Sequence, residues 1–141
     1  MPWAIEMFSR TSQHALNVLG LLASDQRGRV PGDDLATRTG VPSNYLSKIL
    51  NQLRKQGIVE AEKGRGGGFR LRPEALDRPI RDILAIFEGT DPQQDARCAF
   101  GLDACDPAKP CPLHAYWEQI RQVRQAMLTE VKVRDLVQVV R

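Results

Sequence analysis

The chain has 141 residues, 42% of them hydrophobic, and a formal net charge of +3 at pH 7. This length allows one modest core plus an accessory helix, excludes two independent cores and makes a partner subunit an expectation. No stretch approaches the roughly 20 apolar residues of a membrane span, and the first residues lack the basic and apolar regions of a signal peptide. We therefore expect a cytoplasmic protein without a membrane partner.

The first third of the chain carries the pattern of a helix-turn-helix. Ala15 and Leu19 belong to an apolar series with helical spacing over residues 11–24, which predicts the first helix. The two aspartates that open residues 33–39 suit the positive end of a helix dipole and predict a second, short helix. Gly40 ends that helix, so the chain continues through a glycine-containing turn into a third helix.

The third helix has the features of a recognition helix. Pro42 suits its first turn and Gly57 its C-terminal end. Its predicted buried stripe consists of Leu46, Ile49, Leu50 and Leu53. The polar side, with Ser43, Asn44, Ser47, Lys48, Asn51 and Arg54, mixes short hydrogen-bonding groups with cations. Such a face suits a DNA major groove, and the alternative for this helix alone is an ordinary solvated surface.

Residues 58–72 predict a β-hairpin beside this helix. Two short alternating runs flank a glycine-rich tip, and glycine permits positive φ and close backbone approach. Lys63, Arg65 and Arg70 place positive charge around that tip. A nucleotide-phosphate loop is the alternative for a glycine run, but this run leads into a strand and has no Lys-Ser/Thr pair after it. Together with the preceding helices, the hairpin predicts a winged-helix DNA-binding domain.

The remaining chain predicts a dimerisation region. Pro79 opens a helix that ends at Gly89, and a long final helix begins near Pro112. One side of the final helix carries Trp117, Ile120, Arg124, Met127, Leu128 and Val131. Much of this stripe lacks an intrachain partner, so we expect it to pair with a second copy and place two recognition helices one DNA turn apart. Residues 133–141 are predicted to form a short helix that packs back on the core.

The predicted fold is therefore mainly α with a small β-hairpin wing. It comprises a winged helix-turn-helix domain over residues 1–78 and a region over residues 79–141 that carries the long C-terminal dimerisation helix and a cysteine-containing loop at residues 90–111. We predict that the chain is not an enzyme, because it shows no nucleophile paired with a positioned base, no phosphate loop followed by a helix and no acidic metal cluster.

Three cysteines and a histidine precede or open the final helix, in the pattern Cys98-x6-Cys105-x5-Cys111-x2-His114. These spacings are too long for the Cys-x2-Cys knuckle of common zinc modules and suit a loop around an iron–sulfur cluster. We expect Cys111 at the N-cap of the final helix, where the helix dipole favours a thiolate. A metal-free thiol switch, a structural zinc site and three small apolar side chains in a loop stay open as alternatives.

The chain resembles the Rrf-type family of bacterial winged-helix regulators, in its IscR/NsrR-like, iron–sulfur-binding branch. The most specific matching pieces are YLSKIL and LRKQG in the third helix, GRGGGF in the wing and the three-cysteine loop, and the resemblance spans nearly the whole chain from Met7. It implies a homodimer whose C-terminal helices cross. Carried over by position, it implies Cys98, Cys105 and Cys111 as cluster ligands and His114 as the fourth ligand of a [2Fe-2S] cluster, with [4Fe-4S] as the alternative.

The expected function is a homodimeric transcriptional regulator that binds double-stranded operator DNA under the control of an iron–sulfur cluster, which senses redox state, iron or nitric oxide. Contacts at or near base edges are expected from Ser43, Asn44 and Ser47. Contacts to phosphates or the minor groove are expected from Lys48, Lys63, Arg65 and Arg70. The alternative is a metal-free winged-helix repressor that responds to thiol oxidation or to a protein partner.

Overall fold

The computed structural model of the chain describes residues 7–25, 28–89 and 108–139. Its regular elements are α1 (Arg10–Ser24), α2 (Gly32–Thr39), α3 (Ser43–Lys55), β1 (Val59–Glu62), β2 (Gly68–Leu71), α4 (Ile80–Glu88) and α5 (His114–Glu130). Two 3₁₀ helices, Pro73–Asp77 and Val133–Val139, follow β2 and α5. This order confirms the predicted fold class of a mainly helical chain with a two-stranded wing.

The helix ends follow local chemistry. The Ser9 hydroxyl accepts a hydrogen bond from the backbone N–H of Ser12 at 3.2 Å and so caps α1. Gly40 and Gly57 stand just beyond α2 and α3 with φ of 73° and 71°, values that glycine adopts without a steric cost. Pro42 is the N-cap residue of α3 and was predicted to lie in the first turn. The helix therefore begins one residue later than predicted.

One hydrophobic core joins the first three helices to the wing and the C-terminal segment. The predicted stripe of α3 is buried, with Ile49 1% and Leu53 0% exposed. Leu19 of α1 and Leu35 of α2 are also fully buried in this core. The alternation of buried and polar positions on α3 therefore sets which face packs inward and which face is left for a partner.

The wing is fastened to the chain that precedes α2. β1 and β2 pair antiparallel, from Val59 opposite Leu71 to Glu62 opposite Gly68. Val30 adds a bridge to Phe69 through two backbone hydrogen bonds of 2.8 Å. A Cβ atom on Gly68 would lie 2.5 Å from the Val30 carbonyl oxygen, and φ of 133° also requires glycine there.

The C-terminal segment returns to the domain. Val133 is fully buried, and the 3₁₀ helix that it opens packs against α1. The backbone N–H of Ile80 donates to the Val131 carbonyl at 2.9 Å, and the N–H of Val133 donates to the Arg78 carbonyl at 3.0 Å. The predicted packing of this segment on the core is therefore confirmed. The predicted domain boundary at residue 78 stays a prediction, because residues on both sides of it contribute to one core.

A carboxylate from α4 supports the start of α1. The Glu88 Oε1 atom accepts a hydrogen bond from the Ser9 backbone N–H at 2.6 Å. Partial burial pushes the pKa of Glu88 upward, but hydrogen bonds from Ser12 and Ser9 and the charge of Arg124 together hold this pKa below its ordinary value. The folded state therefore stabilises the ionised form of Glu88.

We predict that Glu88→Gln lowers the free energy of unfolding at pH 7 by about 0.5 kcal/mol, since a largely exposed interaction at a helix start is worth little more. The folded-state pKa is depressed, so this stability is present above the unfolded pKa of about 4.3 and is lost as the pH falls through the folded value. Urea unfolding at pH 7 and at pH 3 measures the free energy of unfolding of the parent protein and of the variant. The two proteins should differ at pH 7 and converge at pH 3.

The control is Glu74→Gln, which changes an exposed carboxylate on the 3₁₀ helix after β2. It should leave stability unchanged at both pH values. A Glu88→Gln deficit of equal size at pH 3 and pH 7 would contradict a role for the ionised carboxylate.

Candidate nucleic-acid interface and cysteine site

A groove of about 670 Å³ separates α3 from the wing. One wall is the polar face of α3, the other is β1 with the start of the wing tip, and the first residues of α2 close one end. Its lining residues are Gly32, Asp33, Ser43, Leu46, Ser47, Leu50, Asn51, Arg54, Ala61, Glu62, Lys63 and Phe69. The predicted site residues Ser43, Ser47 and Lys63 thus face one shared space.

Hydrogen bonds within α3 orient polar side chains on the helix wall of the groove. The Ser47 hydroxyl donates to the Ser43 carbonyl at 3.0 Å, one turn back along the helix. The Arg54 guanidinium donates to the Asn51 side-chain oxygen at 2.9 Å. Asn51 and Arg54 were not among the predicted contact residues, although their spacing already places them on the polar face of α3. Both side chains are exposed and bring a donor set into the groove.

The remaining predicted contacts of α3 and the wing tip are exposed. Asn44 and Lys48 lie on α3 beside the groove without lining it. Arg65 stands at the wing tip between Gly64 and Gly66, whose φ values are 94° and 71°. Arg65 thus places an exposed cation at the end of the hairpin.

Arg70 lies in an ion pair with Glu60 on the neighbouring strand. The two residues are directly opposite in the β1–β2 register, so their side chains share one face of the hairpin. Arg72 approaches the same carboxylate at 3.9 Å. This pairing follows from the β1–β2 register, which the sequence does not reveal.

The structure describes two of the four predicted metal ligands, Cys111 and His114. The N-cap of α5 is Leu113, so the prediction that Cys111 caps this helix is wrong. A turn precedes the helix instead, in which the His114 backbone N–H donates to the Cys111 carbonyl at 3.0 Å. Cys98 and Cys105 lie outside the described residues, as does most of the predicted loop at residues 90–111.

His114 carries a buried polar atom that lacks a partner within the described part of the chain. Its Nδ1 atom is inaccessible to solvent and makes no hydrogen bond there. A buried imidazole nitrogen in this state is costly, and metal coordination is one of the interactions that satisfies it. Cys111 is half-buried one turn away. No group of three metal-binding side chains occurs among the described residues, and Cys98 and Cys105 lie outside them.

The final helix shows two faces where the sequence predicted one stripe. Leu128 is buried against the domain, and Trp117, Arg124 and Met127 are half-buried. A second series is exposed, with Tyr116 71%, Ile120 52% and Val123 70% accessible. The predicted stripe therefore packs on its own domain at Leu128, while Ile120 stays exposed together with the neighbouring apolar side chains of Tyr116 and Val123. No helix within the described ranges is long and apolar enough to cross a membrane.

Comparison with known proteins gives a family and a fold. Residues 8–139 match the Rrf2 family, described as iron-dependent transcriptional regulators. The transcriptional regulator IscR of Photorhabdus laumondii is 29% identical over 121 residues, which cover 85% of this chain and 71% of the relative. A putative HTH-type transcriptional regulator of Aquifex aeolicus is 29% identical over 135 residues, covering 94% of this chain and 92% of the relative.

Solved structures agree with the architecture. CymR, the global cysteine regulator of B. subtilis, matches with a TM-score of 0.77 at 23% identity and covers 96% of this chain and 98% of its own. The IscR structure of T. potens matches with a TM-score of 0.69 at 19% identity, covering 100% and 92%. The structural likeness confirms the winged-helix fold. Together with the family match over residues 8–139, it establishes that the chain belongs to the Rrf2 family of transcriptional regulators.

Proposed function

We propose that the chain is a homodimeric operator-binding regulator whose DNA affinity is set by an iron–sulfur cluster. The observation that carries the DNA-binding part is the groove between α3 and the wing. Its helix wall offers hydroxyl, amide and guanidinium groups, and its wing side offers Lys63 with Arg65 beyond it. Groups that read base edges and groups that neutralise phosphates therefore adjoin each other, as DNA recognition requires.

The groove suits one sugar–phosphate strand. With α3 in a major groove and the wing at the adjacent minor groove, the strand between those grooves runs between helix and hairpin. In this pose Ser43, Asn44 and Ser47 meet base edges or their surroundings. The cations that meet phosphates or the minor groove are Lys48, Lys63, Arg65 and Arg70. Arg70 would exchange Glu60 for a phosphate, and an exposed ion pair of this kind costs at most about 1 kcal/mol to break.

The exposed apolar series of α5 supports the dimer. Leu113, Tyr116, Ile120 and Val123 recur every three or four residues and form one continuous strip. A second copy of the same helix matches such a strip by two-fold symmetry, and symmetry would place two copies of α3 against two half-sites. A change in the crossing of these helices would then change the spacing of the recognition helices.

Cys98, Cys105, Cys111 and His114 are the residues that would hold the cluster. The support from this chain is the buried Nδ1 of His114, which has no hydrogen-bond partner among the described residues, three residues after half-buried Cys111. The family description as iron-dependent regulators agrees with it. A bound cluster, with [2Fe-2S] favoured by a histidine ligand and [4Fe-4S] as the alternative, would supply sensitivity to iron, redox state or nitric oxide. His114 begins α5, so the same residue links the ligand set to the dimer helix.

Arg65→Ala tests the wing. We predict about tenfold weaker binding to operator and random duplexes alike, because Arg65 contributes charge and reads little sequence. The slope of log affinity against log salt should become shallower by about one for each phosphate that the variant no longer neutralises. Fluorescence anisotropy at several salt concentrations measures this slope. Arg81→Ala, an exposed change on α4, is the control, and an unchanged slope for Arg65→Ala would rule out the phosphate role.

Val123→Asp tests the dimer. A carboxylate in the middle of the apolar strip should shift the protein to monomer and lower operator affinity at least tenfold, since two half-sites are no longer bound together. Sedimentation velocity gives the mass. Thr129→Asp introduces the same charge at an exposed position on the far side of α5 from the strip and should leave the dimer intact. This part of the proposal would be refuted if the parent protein were itself a monomer and bound operator DNA with the same affinity as Val123→Asp.

Anaerobic purification tests the cluster. We expect visible absorption with stoichiometric iron and sulfide in the parent protein, loss of colour in Cys98→Ala, Cys105→Ala and Cys111→Ala, and an altered spectrum in His114→Ala. His14→Ala is the control, since His14 is the other of the two histidines in the chain. A colourless, iron-free protein that still binds DNA after reconstitution would instead favour a metal-free repressor that responds to thiol oxidation or a protein partner.

A further inference from the structure

A cluster of five charges lies along one face of the wing. Its members are Arg29, Glu60, Glu62, Arg70 and Arg72. Glu60 and Glu62 are two residues apart on β1, so their side chains leave the same face of the strand. The Arg29 Nη2 atom lies 3.1 Å from Glu62 Oε2 and 3.9 Å from Glu60 Oε1.

The two carboxylates differ in how they are compensated. Glu60 also pairs with Arg70 and Arg72. If Arg29 is removed, Glu60 therefore keeps both of these partners in the free protein, and it keeps Arg72 when Arg70 turns to a phosphate. Among the described ion pairs, Glu62 has Arg29 alone. Loss of the Arg29 charge would therefore leave Glu62 as the uncompensated anion of this cluster.

The position of Glu62 makes this imbalance matter. Glu62 is among the residues that line the groove between α3 and the wing, and it is next to Lys63 in the chain. It shares the outer face of the hairpin with Glu60, so its carboxylate lies at the rim of the groove. A bare carboxylate there would lie near the phosphates of a DNA strand in the same groove. Like charges that approach within a few ångströms across an interface oppose binding and weaken association most at low salt.

Arg29 is held where it neutralises Glu62. The next residue, Val30, is bridged to Phe69 on β2 by two backbone hydrogen bonds of 2.8 Å, which fixes the backbone beside the hairpin. The side chain of Arg29 is 24% exposed, less than that of Glu62 at 60%. Its Nε atom is buried without a hydrogen-bond partner in the described residues, so the guanidinium works through its terminal nitrogens. Arg29 does not line the groove.

We propose that Arg29 is a positioning residue for DNA binding, which acts by neutralising Glu62 at the rim of the groove and makes no contact with DNA itself. This inference rests on the proposed operator-binding function. It adds a residue outside the recognition helix and the wing to the determinants of affinity. Its distinguishing consequence is that the contribution of Arg29 depends entirely on the presence of the Glu62 charge.

The test compares Arg29→Gln in two backgrounds. The probe is a labelled 40-base-pair duplex, selected from a random library by the parent protein, at about 0.1 M salt where surface charges are only partly screened. Arg29→Gln alone should bind about tenfold more weakly. In a Glu62→Gln background the same change should cost less than twofold, and Glu62→Gln by itself should bind at least as well as the parent.

The controls separate this role from others. Arg38→Gln removes an equal charge from a pair with Asp25 at 3.4 Å outside the groove, and it should leave affinity unchanged. Thermal melts should coincide for all variants. If Arg29→Gln unfolds, weaker binding by Glu62→Gln would by itself refute the proposal, because the carboxylate would then be helping DNA to bind.

Two other outcomes would overturn it. If Arg29→Gln lowers DNA affinity tenfold in both backgrounds, Arg29 contacts the DNA directly. If Arg29→Gln binds DNA like the parent, the ion pair between Arg29 and Glu62 does not affect binding. Failure of the parent protein to select any duplex is a different result. It would refute operator binding itself, whereas the two outcomes above refute only the role of Arg29.

Discussion

The geometry of the groove between α3 and the wing depends on the backbone bridge between Val30 and Phe69. A two-stranded hairpin of four residues a side is marginal in water by itself, so its direction must be fixed from outside. The bridge supplies that support and requires the strand to approach so closely that only glycine fits at position 68. The width of the groove beside α3 follows from it. A constraint made by main-chain atoms thus decides where the charged side chains of the wing lie.

Much of the domain was predictable because its signals are local. Apolar spacing gave α1 and α3, and glycines with positive φ gave the ends of α2 and α3, as the structure confirms. The pairing of Arg70 with Glu60 and the bridge from Val30 were not predictable, since both depend on register and tertiary approach. The predicted N-cap at Cys111 was wrong because a turn intervenes before α5.

The final helix illustrates how periodicity underdetermines function. An apolar position indicates burial but not the partner that buries it, and α5 uses neighbouring faces for its own domain and for open surface. The grouping of the four predicted ligands stays a prediction, because Cys98 and Cys105 lie outside the described residues. His114 is the residue for which structure adds most, since burial of its Nδ1 is invisible in the sequence.

The return of the C-terminal segment to α1 has a consequence for biosynthesis. Val133 and Leu136 complete the same core as Leu19 and Leu22 near the start of the chain. During synthesis, the DNA-binding unit therefore lacks part of its core until residues beyond 130 have emerged from the ribosome. Nascent chains fold domain by domain from the N-terminus, but here the packing that closes the core joins residues far apart in sequence. Formation of the DNA-binding unit is thereby coupled to completion of the helix that precedes this segment.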